Sequence, residues 1–329
     1  MQSANMALGA LLLIGLTACS QVESTPSETL YEPTRFSGDY LLDLAEALSS
    51  DDLQGRAPGT EESIRARQMI IDRFEALGVQ PVNGSFEYPF LYGPFTNPET
   101  GEDAVPDKPG TNVMGLIEGS SESDLTMVLT AHFDHLGVRE GEIFNGMDDN
   151  ASGVTGILAA AEYFSENTPL HNVLIVALDA EEDGLSGARD FVTNPPIPLE
   201  TIAFNLNLDM VSRGDNGLLW ASGAAHWPAL EPMIVTVAST APVEVRMGFD
   251  TGEGRDDWTL LSDHGVFFRA GIPHLYLGVE DHPDYHRPSD DFENVDKDWY
   301  LRSIETVVMM ADAADAILVE IDGMKSVEE

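Results

Sequence analysis

An α/β sandwich, with one sheet held between layers of helices, is the fold this sequence predicts, and three observations predict it. Five short apolar runs, "TNVMGLIEG", "LTMVLTAH", "NVLIVALDA", "FNLNLDMV" and "IPHLYLGV", read as central strands buried on both faces. Stretches with apolar residues at helical spacing alternate with them, the pattern of an α/β core. The length is the third: 329 residues at 43% hydrophobic suffice for one large domain with a sizeable core. In chain order, residues 61–77 predict a helix with Ile64, Ile71, Phe74 and Leu77 on one side and Gly78 as its stop. "GSFEYPFLYGPF" reads as extended, and residues 95–110, rich in Pro, Gly and acid, as a surface loop. A helix from about Ala151 carries Val154, Ile157, Leu158, Ala161 and Phe164 at helical spacing. A last helix, roughly Lys297 to Glu320, turns Trp299, Leu301, Ile304, Val308, Ala311 and Ile317 to the core, and there is no internal repeat.

The ends and the charge bound where the chain works. Residues 6–18, "MALGALLLIGLTA", are too short to span a bilayer comfortably and suit the apolar part of a signal peptide. They end at Cys19, the single cysteine, and "LTAC" resembles the bacterial lipobox, whose cysteine is lipidated. That resemblance implies an exported lipoprotein anchored on the periplasmic or cell-surface side. The segment before it lacks Lys and Arg, so an ordinary signal with an incidental cysteine, and a secreted product, is the alternative. The expected organisation is a signal peptide over 1–18, a flexible polar tether over 19–35, one domain over 36–322 and a short tail over 323–329. One cysteine excludes an intrachain disulfide. Sixteen Lys plus Arg stand against 57 Asp plus Glu, a formal charge of -41. Such a surface repels phosphate backbones and anionic lipid, which argues against nucleic acid as a partner and leaves the lipid anchor as the only membrane contact.

Ligands in open α/β sheets gather at the carboxyl ends of strands. "LTMVLTAHFDHLG" ends in His132 and Asp134, "NVLIVALDAEEDG" in Glu181 and Glu182, "FNLNLDMV" contains Asp209, and His282 and His286 follow "IPHLYLGV". The turn "GMDDNASG" adds Asp148 and Asp149. Adjacent carboxylates raise the cost of ionising one another and need a proton, a partner or a metal. Imidazoles and carboxylates together can hold zinc, and a carboxylate bridging two ions about 3.5 to 4 Å apart would resolve the charge conflict.

The ordered motifs "AHFDHLG", "GMDDNASGV", "DAEEDGLSG", "NLDM" and "YHRPSDD" resemble those of the co-catalytic di-zinc aminopeptidases, metallopeptidase family twenty-eight. That family also contains glutamate carboxypeptidase II, glutaminyl cyclases and the transferrin receptor ectodomain. The resemblance covers about residues 40 to 320. It implies a three-layer αβα sandwich of zinc-exopeptidase type with a mixed, largely parallel central sheet, and two zinc ions per chain. Asp149 would bridge the ions, with His132 and Asp209 completing one site and Glu182 and His286 the other. Glu181 would be the general base toward the metal-bridging water, and Asp134 would orient His132. Tyr285 would donate to the oxyanion. The Asp149–Asn150 peptide would be cis, and Arg56 in "GRAPGT" would tie the N-terminal region to the core.

Other polar residues carry quieter expectations. Asp148 is either a turn residue facing solvent or a hydrogen-bonding support for its neighbour. His135 and His282 are expected as pocket-rim or solvated groups. His264 and His274 are expected to be structural, and Asp263 to stand behind the ligands. The function implied is a metal-dependent aminopeptidase acting on peptides with a free N-terminus. Glutaminyl cyclase or carboxypeptidase activity on the same scaffold is the first alternative. A non-catalytic receptor-like module is the second, and it conflicts with retention of every ligand and the base.

Overall fold

All five apolar runs become strands, because burial on both faces removes the polar alternation that a half-wet strand would carry. The computed structural model describes residues 30–93, 107–251 and 256–325. Its strands are β1 (Gln80–Pro81), β2 (Glu87–Tyr92), β3 (Lys108–Ile117), β4 (Thr126–His132), β5 (Gly137–Arg139), β6 (Glu142–Phe144), β7 (Asn172–Leu178), β8 (Ile202–Leu208), β9 (Leu218–Ser222), β10 (Glu244–Met247) and β11 (His274–Gly278). The main sheet runs β1-β3-β7-β4-β8-β11-β9-β10, with β2 also paired to β3, while β5 and β6 form a separate hairpin. Its four middle strands, β7, β4, β8 and β11, are mutually parallel. On either side, β3 and β9 join them antiparallel, so the sheet is mixed with a parallel centre.

Alternation along each strand builds the two cores. Val173, Ile175 and Ala177 of β7 and Met127, Leu129 and Ala131 of β4 pack into one apolar cluster. This cluster also takes in helices α1 (Gly38–Leu48), α2 (Glu61–Leu77), α3 (Gly153–Glu166), α5 (Leu230–Ala238), α7 (Lys297–Ala316) and α8 (Leu318–Asp322). Leu174, Val176 and Leu178 point the other way, onto helices α4 (Ser186–Thr193) and α6 (His264–Arg269). The result is the expected three layers.

Two helices differ from the periodic reading. In α2, Thr60 caps the start by accepting from the Ser63 amide and Gly78, at φ 73°, ends it. The buried face, however, is Ser63, Ala66, Ile70 and Phe74, and Ile64 is 53% exposed. The stripe is rotated by one residue because small Ser63 and Ala66 allow close approach to the core. The last helix breaks at Ile317 into α7 and α8. Residues Tyr31 to Arg35, expected as the end of a tether, are held against α7: Thr34 Oγ1 and Arg35 both donate to buried Glu305, at 2.7 and 2.8 Å. Of the loop expected over 95–110, residues 94–106 lie outside the described residues and Lys108–Gly110 belong to β3. Cys19, the apolar run before it and the tail beyond 325 also lie outside them.

Register brings the strand ends to one level. His132 pairs with Leu178, and Leu208 with Leu277, so β4, β7, β8 and β11 release their chains along a common carboxyl edge. Arg56 braces that edge from beneath. Fully buried, it donates to the carbonyls of Leu48, Phe133, Asn145 and Gly146 over 2.5–2.9 Å, joining α1 to the chain after β4 and to the acidic turn. Burial lowers its pKa to about 10, against the charges of Asp134, Asp290 and Asp149. Replacing it strands four buried acceptors. Arg56→Met is expected to cost about 3 kcal/mol or more, read as a lower urea midpoint at unchanged slope; an unchanged midpoint would contradict this.

Candidate metal centre

Each residue of "GMDDNASG" has a structural reason. Gly146 adopts φ 59°, and a Cβ there would strike the Asp149 carbonyl and the His135 ring. Gly153 has no room for a Cβ against the Asn150 side chain and the Leu208 carbonyl. Asn150 stitches the turn to the end of β8, donating to Leu208 O at 2.9 Å and accepting from the Gly153 amide. Ser152 donates to Asp148 O and accepts from the Val211 amide. The Asp149–Asn150 peptide is cis. Asp148 faces inward: its carboxylate accepts from the Ser212 amide and hydroxyl, both at 2.7 Å, and contacts His282 Nε2 at 3.1 Å. The supporting role is therefore the one it fills. Asp290 then receives the amides of Asp148 and Asp149 at 2.9–3.1 Å, fixing the turn from the opposite side.

The held Asp149 divides two sets of donors. Its Oδ1 lies 3.2 Å from His132 Nε2, which is 3.3 Å from Asp209 Oδ1. Its Oδ2 lies 3.0 Å from His286 Nε2, which is 3.4 Å from Glu182 Oε1. One donor atom each from His132, Asp149 and Asp209 lies within 4.8 Å of the others, and the same holds for His135, Asp149 and Glu182. Asp134 acts through two groups. Its carbonyl contacts His132 Nδ1 at 3.1 Å, while its carboxylate, 3.7 Å from that nitrogen, accepts the amides of Glu181 and Glu182. Asp134 thus faces His132 Nδ1 with both its carbonyl and its carboxylate, and the same carboxylate positions the glutamate pair. A cleft of ≈ 290 Å³ opens over this group, lined by Asp149, Glu181, Glu182, Asp209, Tyr285 and His286 with Leu185, Met210 and Leu261.

Electrostatics follow from four carboxylates in a buried space. Burial alone would depress the His132 imidazole, but the charges of Asp209 and Glu181 hold it well above its ordinary value. Burial raises Glu181 far above the usual carboxylate range, and lifts Asp209 and, to about 8, Asp263. For Glu182, burial is overcome by His135 and His286, which bring it to about 2. Glu182 Oε1 and both ring nitrogens of His135 are buried without a hydrogen-bond partner among the described residues. Glu182 Oε1 and His135 Nδ1, orphaned 2.8 Å apart beside Asp149, suit a divalent cation better than a hydrogen-bond network.

Residues 112–311 match the family model described as Peptidase family M28. The chain belongs to this family. It is 31% identical over 127 residues to a vacuolar membrane protease of Schizosaccharomyces pombe, a stretch covering 39% of the chain and 14% of that protein. It is 27% identical over 215 residues, 56% of the chain and 42% of its relative, to a Mycobacterium tuberculosis protein described as a probable lipoprotein aminopeptidase. The chain therefore spans less than half the length of these relatives. Its fold is similar to the crystal structures of a leucine aminopeptidase precursor from Bacteroides thetaiotaomicron (TM-score 0.64, 20% identity, 87% of this chain and 99% of that one) and of Porphyromonas gingivalis glutaminyl cyclase (0.66, 19%, 84% and 98%).

Within this M28 fold, His132, Asp134, Asp149, Glu181, Glu182, Asp209, Tyr285 and His286 all reach one cleft region. Two expectations are corrected. His135 is not a rim group: it lies beneath the cleft with a fully buried ring, because the chain leaves β4 at His132 and the strand alternation that would turn it outward ends there. His282 is also buried, drawn in by Asp148, and so anchors the loop that carries His286. His264 and His274 are structural as expected, contacting Trp258 O and the Trp227 indole. Asp290 went unassigned although it stands within "YHRPSDD"; the doubled aspartate was its only signal.

Burial would lower the His286 imidazole, yet Asp149 and Glu182 raise it from 6.5 to about 10. A value raised on folding contributes stability fully below about pH 6.5 and loses it as pH rises through about 10. Ion binding needs the neutral ring, so it must release protons at pH 7 and tighten as pH climbs toward 10. Calorimetric zinc titrations in two buffers of different ionisation enthalpy are expected to show that release; equal heats would contradict it.

Proposed function

We propose that the chain is a zinc-dependent aminopeptidase, an exopeptidase that removes residues from the free N-termini of peptides, with two zinc ions per chain. The observation that carries this reading is the division of Asp149 between two donor sets beneath one acidic cleft. His132, Asp149 and Asp209 would hold one ion, and Asp149, Glu182 and His286 the other. When bound, the ions supply Lewis acidity toward the scissile carbonyl and a lowered pKa for the attacking water.

The chain's own residues supply the remainder. Glu181 lines the cleft with its amide fixed on Asp134 and its carboxyl raised by burial, the condition for taking a proton near neutral pH and returning it to the leaving amine. Tyr285 stacks on His286 at 4.0 Å, and burial raises its pKa, so its hydroxyl stays protonated to donate to a developing oxyanion. The cleft's charged lining is acidic, with no Arg or Lys among its described residues, which favours a substrate ammonium group over a carboxylate. Arg213 is engaged by Asp215 and Asp284, and Arg269 lines a different pocket, so neither supports a carboxypeptidase. Donors for a second ion favour hydrolysis over the single-zinc cyclisation of a glutaminyl cyclase.

An exported form tethered through Cys19 belongs to the same reading. It is supported by "LTAC" and by relatives described as a membrane protease and a lipoprotein aminopeptidase. Among the described residues no helix is long and apolar enough to cross a membrane.

Aminoacyl anilides and N-terminal glutaminyl peptides, assayed with and without chelator, test the activity. Chelator-sensitive release of the first residue is expected, and cyclisation without release would contradict it. Glu181→Gln should lower kcat by about 10²–10⁴ while zinc content is unchanged; full turnover would remove Glu181 from its role. Tyr285→Phe should lower kcat by about 10² with KM little changed, and an unaltered kcat would contradict the donor role.

A further inference from the structure

We propose that His135 is itself a metal ligand: its Nδ1 joins Asp149 Oδ2, Glu182 Oε1 and His286 Nε2 to make a four-donor site, leaving the site of His132, Asp149 and Asp209 with three. This inference rests on the metallopeptidase reading and adds a residue to it.

The distances favour it. His135 Nδ1 lies 2.8 Å from Glu182 Oε1 and 3.8 Å from Asp149 Oδ2, while His286 Nε2 lies 3.4 and 3.0 Å from the same two oxygens. An ion about 2.0–2.1 Å from each of four tetrahedral donors sets neighbouring donors about 3.3 Å apart, and the four separations straddle that value. The two rings sit 5.8 Å apart between centroids, on either side of the same pair of carboxylate oxygens.

An ordinary ion pair between His135 and Glu182 fits less well. At 2.8 Å the separation is that of a strong hydrogen bond, yet the contact lacks hydrogen-bond geometry. His135 Nε2 is equally unpartnered, so no hydrogen bond elsewhere explains why the ring is buried. Space reinforces the placement. Gly146 is required where a Cβ would meet the His135 ring, so the acidic turn is shaped around this imidazole.

The consequence is asymmetry. Four protein donors hold an ion more tightly than three, so the two ions would differ in affinity. His286, 37% exposed, would be the replaceable member of the four-donor set, and buried His135 the persistent one.

Zinc titration against a chromophoric chelator, on wild type, His135→Ala, His135→Gln and Asp209→Ala, tests this without reference to turnover. Wild type is expected to take two ions of unequal affinity. Both His135 variants should weaken the tighter ion by about tenfold or more, and Asp209→Ala should lose the weaker ion and keep the tighter. His135 variants that bind two ions with wild-type affinities would overturn the proposal while leaving the metallopeptidase reading intact; a wild type that binds no zinc would overturn both. X-ray absorption on the zinc-loaded wild type gives a check free of folding effects. Three imidazoles per pair of ions are expected, and two would overturn the proposal.

Discussion

Four carboxylates, Asp149, Glu181, Glu182 and Asp209, share one buried cleft, and the surrounding structure is organised to bear that charge. Buried like charges cannot all ionise unless positive charge is supplied. Three imidazoles, His132, His135 and His286, stand among them, and their charge acts on Asp149, Glu182 and Asp209. Buried Arg56 spends its donors on four carbonyls and reaches the acids only through its charge.

Holding such a cluster requires the backbone to deliver side chains from separate strands to one place. Non-glycine residues adopt the left-handed region at Ala180, Leu185, Met210 and His286, with φ between 53° and 60°. Ala180 precedes the glutamate pair and Leu185 follows it, Met210 follows Asp209, and His286 is itself a proposed ligand. Conformations of that kind persist where the surrounding contacts over-determine them. Here those contacts are visible: Tyr276 donates to the Asp209 carbonyl at 2.8 Å, Asp134 holds the amides of the glutamate pair, and Asp148 with His282 holds the loop before His286.

Much of this was legible in the residues. Continuous apolar runs marked the five central strands, and the polar residues at their ends marked the cleft, because a parallel sheet places successive carboxyl ends together. The ordered motifs went further and identified the family. What stayed hidden depended on direction rather than composition. His135 sits three residues beyond His132, where the chain has left the strand and no periodicity fixes which way a ring points. Asp290 works through main-chain amides of a turn some 140 residues away, and hydrogen bonds to backbone leave no mark on the partner's sequence. Ile64 looked like a core position, but tight packing against Ser63 and Ala66 turned it to solvent. Strand β9 is only five residues long and the edge strand β10 is four residues and largely exposed, so neither gives a continuous apolar run to read.

The most direct measurement is an anomalous difference map from crystals of the zinc-loaded protein. Two peaks about 3.5–4 Å apart, one on each side of the Asp149 carboxylate, are what the arrangement predicts. A map with no peak at Asp149, in crystals where the cleft is ordered, would contradict the paired-cation centre and the hydrolase built upon it.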